Sequence, residues 1–307
     1  YSGTLRETGE TIVPMKAGIV AFFANLLLDY SLIFGKFGFP ELGVRGAAIA
    51  TVIARIAEVA VVMAWAHSHT AEKPFIRGVY RSFHVPMDLV KEVIKKGTPL
   101  LLNETLWAGG MAMLVRCYSS RGLVVVAGIN IATTLSNMFS IVYIAMGSAI
   151  GIILGQLLGA GKMEEAVDTD RKLIFFSVAS CLGVAILMII VSPFFPQIYN
   201  TSDDVKYIAA WIIRVLAVCM PLNAFMNSTY FTLRSGGKTI VTFLFDSFYI
   251  WVVDIPAAIL LINYTDWNVI LVYFLVQMME IVKCIIGYVL VKKGVWLNNM
   301  TIKAANS

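Results

Sequence analysis

Eight stretches of this chain are long and apolar enough to cross a lipid bilayer, which leaves little room for a water-soluble fold. A helix needs about 20 apolar residues to traverse the hydrocarbon layer. Runs of that kind cover approximately residues 12–34, 42–67, 95–118, 122–157, 172–197, 204–232, 238–262 and 266–291. They are rich in Leu, Ile, Ala and Met and lack the short alternating segments of a β-barrel. Composition agrees: 59% of residues are hydrophobic and only 14% charged, against roughly 25% charged in an ordinary soluble domain. The expected class is an all-α, polytopic transmembrane bundle.

The run 122–157 exceeds one perpendicular crossing, so a tilt, a bend near Gly147 and Gly151, or continuation into the water phase is expected. Lys and Arg concentrate in alternate loops. One set holds Lys73, Arg77, Arg81, Lys91, Lys95 and Lys96, then Lys162, Arg171 and Lys172, then Arg234 and Lys238, then Lys292, Lys293 and Lys303. The other holds little beyond Lys36, Arg45, Arg116, Arg121 and Lys206. The positive-inside rule assigns the first set and both chain ends to the cytoplasm. The net charge of +5 thus reflects topology, not affinity for nucleic acid.

A repeat organises the spans. LRETGETIV at residues 5–13 returns as LRSGGKTIV at residues 233–241, and each copy precedes a span with an acid inside it, Asp29 or Asp254. Six spans lie between the copies, so both enter the membrane from the same side, as in a parallel repeat of two six-helix units. Four spans precede the second copy within its unit and none precedes the first. The expectation is therefore a twelve-helix, two-lobe (6+6) protein that lacks its first four helices here. The domains read as 1–67, the end of the N-terminal lobe; 68–94, a cytoplasmic linker; 95–293, a complete C-terminal lobe; and 294–307, a cytoplasmic tail.

Several features carry no chemistry of their own. Cys117, Cys181, Cys219 and Cys284 lie in or beside apolar runs without a CxxC, and read as packing residues. His67, His69 and His84 surround one polar loop without metal-ligand spacing. GQLLGAGK, residues 155–162, has five residues between its outer glycines and Met163 after the lysine, so it is not a phosphate loop. Its glycines are expected to end the long helix, with MEEAV starting an interfacial helix. Arg55 with Glu58, and Glu280 with Lys283, have the i, i+3 spacing of local ion pairs. Arg214 has no partner in its own helix and is a candidate partner for Glu104 or Asp246. Pro14, Pro99, Pro221 and Pro256 are candidate hinges within spans.

The remaining intramembrane polar groups point to function, because a carboxylate at the bilayer centre costs about 2.5–3.5 kcal/mol on insertion scales. Asn25 and Asp29 stand at i and i+4, on one helical face. Asn103 and Glu104 lie near the middle of the 95–118 span. Asp246 and Asp254 share the 238–262 span, two turns apart, with Ile250 where an Asn would complete the Asn25–Asp29 pattern. Low dielectric makes such carboxylates candidate proton carriers, and anions there suit a cationic substrate.

LRETGETIVPM, NLLLDYSLIFGKFGFPELGVRGAAIATVIAR, the NE pair of PLLLNETLWAGG, and GQLLGAGKMEEA together resemble the multidrug and toxic compound extrusion (MATE) family of secondary transporters. The resemblance covers nearly the whole chain and corresponds to the family's fifth to twelfth helices. It implies a cation-coupled antiporter of the plasma membrane that exports drug-like organic cations by alternating access between two lobes. In that family matching Asn and Asp positions of the fifth helix, here Asn25 and Asp29, help form a cation site in the N-terminal lobe. The acid of the seventh helix, here Glu104, contributes to cation or substrate binding. The implied partners are membrane lipids and small organic cations, with no nucleotide, no nucleic acid and no cofactor beyond a coupling proton or sodium ion, acting as a monomer. A flippase for a lipid-linked oligosaccharide would share the pseudo-symmetric halves but needs a strongly cationic cavity, and only Arg55 and Arg214 lie well inside spans. A membrane-embedded enzyme would need a catalytic motif such as GxSxG or HExxH, and neither occurs.

Overall fold

The computed structural model describes residues 1–69, 76 and 85–298. Most of the expected linker, with Lys73, Arg77, Arg81 and His84, lies outside the described residues, as does the tail from 299 onward with Lys303. The chain divides into two units, Tyr1–Pro86 and Met87–Ser307.

The first unit contains α1 (Ser2–Glu7), α2 (Ile12–Ile33) and α3 (Val44–Ser68). α2 and α3 pack as a hairpin whose connection is held by Leu42 N–H donating to the Leu32 carbonyl at 2.8 Å and Lys36 N–H to that of Ser31 at 3.0 Å. Leu5, fully buried, seals α1 against Ala17 and Val62. Large apolar side chains such as Phe22, Phe23, Leu27 and Ile56 face outward, an arrangement suited to hydrocarbon and costly in water.

The second unit contains α4 (Met87–Ser119), α5 (Leu123–Gly159), α6 (Met163–Val191), α7 (Asp203–Ser235), α8 (Thr239–Phe243), α9 (Ile255–Tyr264) and α10 (Val269–Lys292). α8 and α9 belong to one membrane-length helix, Thr239–Tyr264, and are joined by two π-helical turns, Leu244–Phe248 and Ile250–Asp254. Proline explains where the second wide turn falls. Pro256 has no N–H for the Val252 carbonyl and its ring crowds that oxygen, so the helix relaxes in the turn just before it.

α7 is the central helix. Half of its most apolar window is buried, compared with 22% for α5, α6 and α10. Ile212, Ile213 and Met220 of α7 form the main core with Met188 of α6 and Val272 of α10. A second cluster joins Ile150 and Leu154 of α5, Leu233 of α7 and Trp296. Among the described residues, seven helices are long and apolar enough to span a membrane. The eighth expected span falls within α4, which at 33 residues has ample length. Thr98, Asn103, Glu104 and Thr105 dilute its apolar character, so composition alone does not mark it.

The repeat is visible in the backbone. In each copy a helix stops, a glycine adopts positive φ (Gly9 at 91°, Gly237 at 71°), and a new helix begins within three residues. The Gly9 and Gly237 N–H groups donate to the Arg6 and Arg234 carbonyls at 3.1 and 2.9 Å, and Leu5 and Leu233 are both fully buried. A side chain at either glycine would be strained by that conformation, which is why both copies keep it.

α5 is one helix of 37 residues, and Gly147 and Gly151 are places where Phe231 of α7 presses against it. Two expectations change. MEEAV starts no separate interfacial helix, because α6 continues from Met163 to Val191 as one element. Gly159 does end α5, and Gly161 at φ 76° makes the turn. Pro14 lies in the first turn of α2, where its missing N–H has no intrahelical partner to lose.

Candidate functional site

α4 and the π-helical turns meet around Asn103, which is 1% exposed. A buried amide must be hydrogen-bonded on both sides of its dipole. Its Nδ2 donates to Asp246 Oδ2 at 3.2 Å and lies 3.5 Å from the Tyr230 hydroxyl of α7. Its Oδ1 accepts from Ser247 Oγ at 2.8 Å, and that hydroxyl also faces the Asn103 carbonyl at 2.6 Å. Trp251 Nε1 donates to the Leu106 carbonyl at 2.9 Å, fastening the next turn of α4 to the same segment.

Asp246 is also the site's link to α10. Its Oδ1 accepts from Lys283 Nζ at 2.9 Å. Lys283, with a side chain only 6% exposed, lies 3.8 Å from Glu280 Oε2. The ammonium is 5.5 Å from the Phe245 ring centre and 6.0 Å from that of Tyr249, within reach of a cation–π attraction. Tyr249 donates to the Met279 carbonyl at 2.7 Å and pins the π segment against α10. Asp254 is 3% exposed, and its Oδ1 has no hydrogen-bond partner. It lies within electrostatic reach of Glu280, Lys283 and Asp246.

Glu104 follows Asn103 by one residue and therefore points to a different side of α4, where it is exposed in this unit. The Tyr230 hydroxyl, 3.4 Å from Glu104 Oε1, connects it to Asn103. The structure thus brings Asn103, Glu104 and Asp246 into one hydrogen-bonded group and sets Asp254 beside it. Four further members are not among the site residues that the sequence points to: Tyr230, Ser247, Glu280 and Lys283. Lys283 carried a signal, being a lone base within an apolar run; Tyr230 and Ser247 carried none.

Lys283 does approach Glu280, as its spacing suggests, but its shortest contact is to Asp246 on another helix. Arg55 pairs with Glu58 at 2.6 Å, as expected. Arg214 is not part of this site. Its Nε donates to Ser192 Oγ at 3.1 Å, its guanidinium lies over Trp211 at 4.6 Å, and it lines a surface groove with Tyr207 and Phe274.

In the first unit Asn25 and Asp29 share a face of α2. Asn25 Nδ2 and Asp29 Oδ1 are shielded from solvent and have no hydrogen-bond partner. They are a buried donor and a buried acceptor that the protein leaves unpaired. Asp254 is not their positional counterpart, because it follows Thr239 by fifteen positions whereas Asp29 follows Thr11 by eighteen. Three residues of helix amount to about 4.5 Å of depth. Among the described residues, no three His, Cys, Asp or Glu side chains converge as ligands of a metal ion would. Asp246, Glu280 and Asp254 gather around an ammonium instead.

Known proteins share this architecture. The MatE family model matches residues 99–260, just over half of the chain. The probable multidrug resistance protein NorM of Thermotoga maritima is 25% identical over 266 residues, covering 86% of this chain and 56% of that protein. The probable multidrug resistance protein YoeA of Bacillus subtilis is 25% identical over 88% of this chain and 58% of its own length. The chain therefore spans a little over half the length of these curated relatives. A crystal structure of MATE in the straight conformation superposes with a TM-score of 0.84 at 19% identity, over 96% of this chain and 65% of the other. These relatives are named as resistance proteins, not as enzymes. By the extent of the family match, and with a fold to agree, the chain belongs to the MATE family.

Proposed function

We propose that this chain forms the fifth to twelfth helices of a cation-coupled antiporter that exports drug-like organic cations across the plasma membrane, with its C-terminus in the cytoplasm. The observation that carries the proposal is the clustering of Asp246, Asp254 and Glu280 around a single lysine inside an apolar bundle, with Glu104 joined to the group through Tyr230. Three carboxyl groups around one ammonium leave an excess of negative charge when ionised. In a medium of low dielectric such an excess attracts a cation strongly. The names of the multidrug resistance relatives support an organic cation as cargo.

Asn25 and Asp29 supply a second polar pair, with an unbonded amide nitrogen and an unbonded carboxylate oxygen. That pair suits a coupling proton or sodium ion, since an ion with differential affinity for two conformations shifts their balance. Alternation of the lobes between inward and outward openings then exchanges the coupling ion for the cargo. The protein works as a single chain in contact with membrane lipids and uses no cofactor.

Ethidium efflux from vesicles tests this reading, using the gene that encodes this chain, expressed in full. Wild type should expel the dye on a proton or a sodium gradient, and Asp29→Asn should lose most of that activity. Failure of both gradients to move ethidium or any other organic cation would reject it and turn attention to lipid-linked amphiphiles.

A further inference from the structure

We propose that Lys283 is a resident counter-ion that occupies Asp246 in the unloaded site and must be displaced from it by the cargo cation. This inference rests on the transport reading above and names the residue that sets its cation affinity. Lys283 Nζ has three N–H donors and one short contact, the 2.9 Å bond to Asp246 Oδ1. Its second acid, Glu280 Oε2, stands at 3.8 Å, too far for a good hydrogen bond, and that oxygen is buried without a partner. Asp254 Oδ1, on the other π turn, is equally unpartnered.

The ammonium therefore has one partner made and two acceptors waiting. A cation that binds Asp246 competes directly with Lys283 for the same carboxylate. A shift of about 1 Å brings the lysine to hydrogen-bonding distance of Glu280, so its charge stays compensated while Asp246 serves the cargo. The rings of Phe245 and Tyr249, 5.5 and 6.0 Å from the ammonium, are close enough to keep an attraction on it through a shift of that size. Asp246 is within reach of such a cation, its side chain being 20% exposed against 6% for Lys283.

Equilibrium binding of tetraphenylphosphonium to the purified, full-length protein tests the inference. Removing the competing charge in Lys283→Gln should tighten binding by about tenfold or more. Lys283→Arg keeps the charge and should stay within about threefold of wild type. Glu280→Gln removes the second seat of the lysine and should weaken binding by about tenfold. A folded Lys283→Gln protein that binds no more tightly than wild type overturns the proposal. If that variant does not fold, unchanged affinity in Glu280→Gln overturns it instead. Should wild type and every variant fail to bind the probe, the transport reading itself falls and takes this inference with it. A lysine with only a structural role would change the melting temperature and leave the affinity of folded variants unaltered.

Discussion

Replacing Asn103 by alanine should loosen the junction of α4 with the π-helical segment by about 3 kcal/mol. The magnitude follows from the bonds. The 3.2 Å bond to the Asp246 carboxylate is charge-assisted, worth about 1.5–3 kcal/mol, and the Ser247 hydroxyl, whose one proton is shared between the Asn103 carbonyl at 2.6 Å and Oδ1 at 2.8 Å, adds at most about 1 kcal/mol. The contacts at 3.4 and 3.5 Å, from Ser247 N–H and to the Tyr230 hydroxyl, are too long to add much. Because Asn103 is 1% exposed, water does not readily replace the lost partners. Unfolding in mixed micelles with increasing SDS, followed by tryptophan fluorescence, reports the change; Trp251 sits on the affected segment. A loss smaller than about 1 kcal/mol would refute the view that this amide organises the site.

Two further predictions concern the packing that holds the site in place. A Cβ at Gly147 would stand 2.0 Å from Asn227 Oδ1 and 2.6 Å from a Phe231 ring carbon, so Gly147→Ala should cost about 1–3 kcal/mol in the same assay. Gly155→Ala, with nothing within 4 Å, should be neutral or slightly stabilising through helix propensity; equal effects of the two would contradict the close approach of α5 to α7. Asp170, 1% exposed, accepts from Thr232 Oγ1 at 2.7 Å and clamps α6 to α7. A double-mutant cycle of Asp170→Ala and Thr232→Val should return a coupling of about 1–2 kcal/mol, and simple additivity would show that the clamp contributes nothing.

Much of this architecture can be read from the sequence because the bilayer imposes a length rule on every span. The repeat was equally legible, since Gly9 and Gly237 occupy a conformation that penalises other residues and so preserve the pattern of letters around them. Asn103, Glu104, Asp246 and Asp254 stood out as polar groups in apolar surroundings. What sequence spacing misses is contact between helices. Lys283 has Glu280 as its neighbour by spacing, yet its nearest acid is Asp246, 37 positions away. Arg214, without an acid along its own helix, donates to Ser192 beyond the end of α6 and lies over Trp211 one turn back on α7, and meets neither candidate acid. Tyr230 and Ser247 resemble any other hydroxyl-bearing residue until the fold sets them beside Asn103. The π turns escape pattern reading as well, because a widened turn alters facing without altering composition.

The sharpest test of the cation site is electrical. Full-length protein in liposomes adsorbed to a solid-supported membrane should give a transient current when tetraphenylphosphonium is added, since cargo binding moves charge into the bundle. Asp246→Asn should abolish or strongly reduce that current. A current of wild-type size in the Asp246→Asn protein would contradict the central claim that the acids around Lys283 receive the cation.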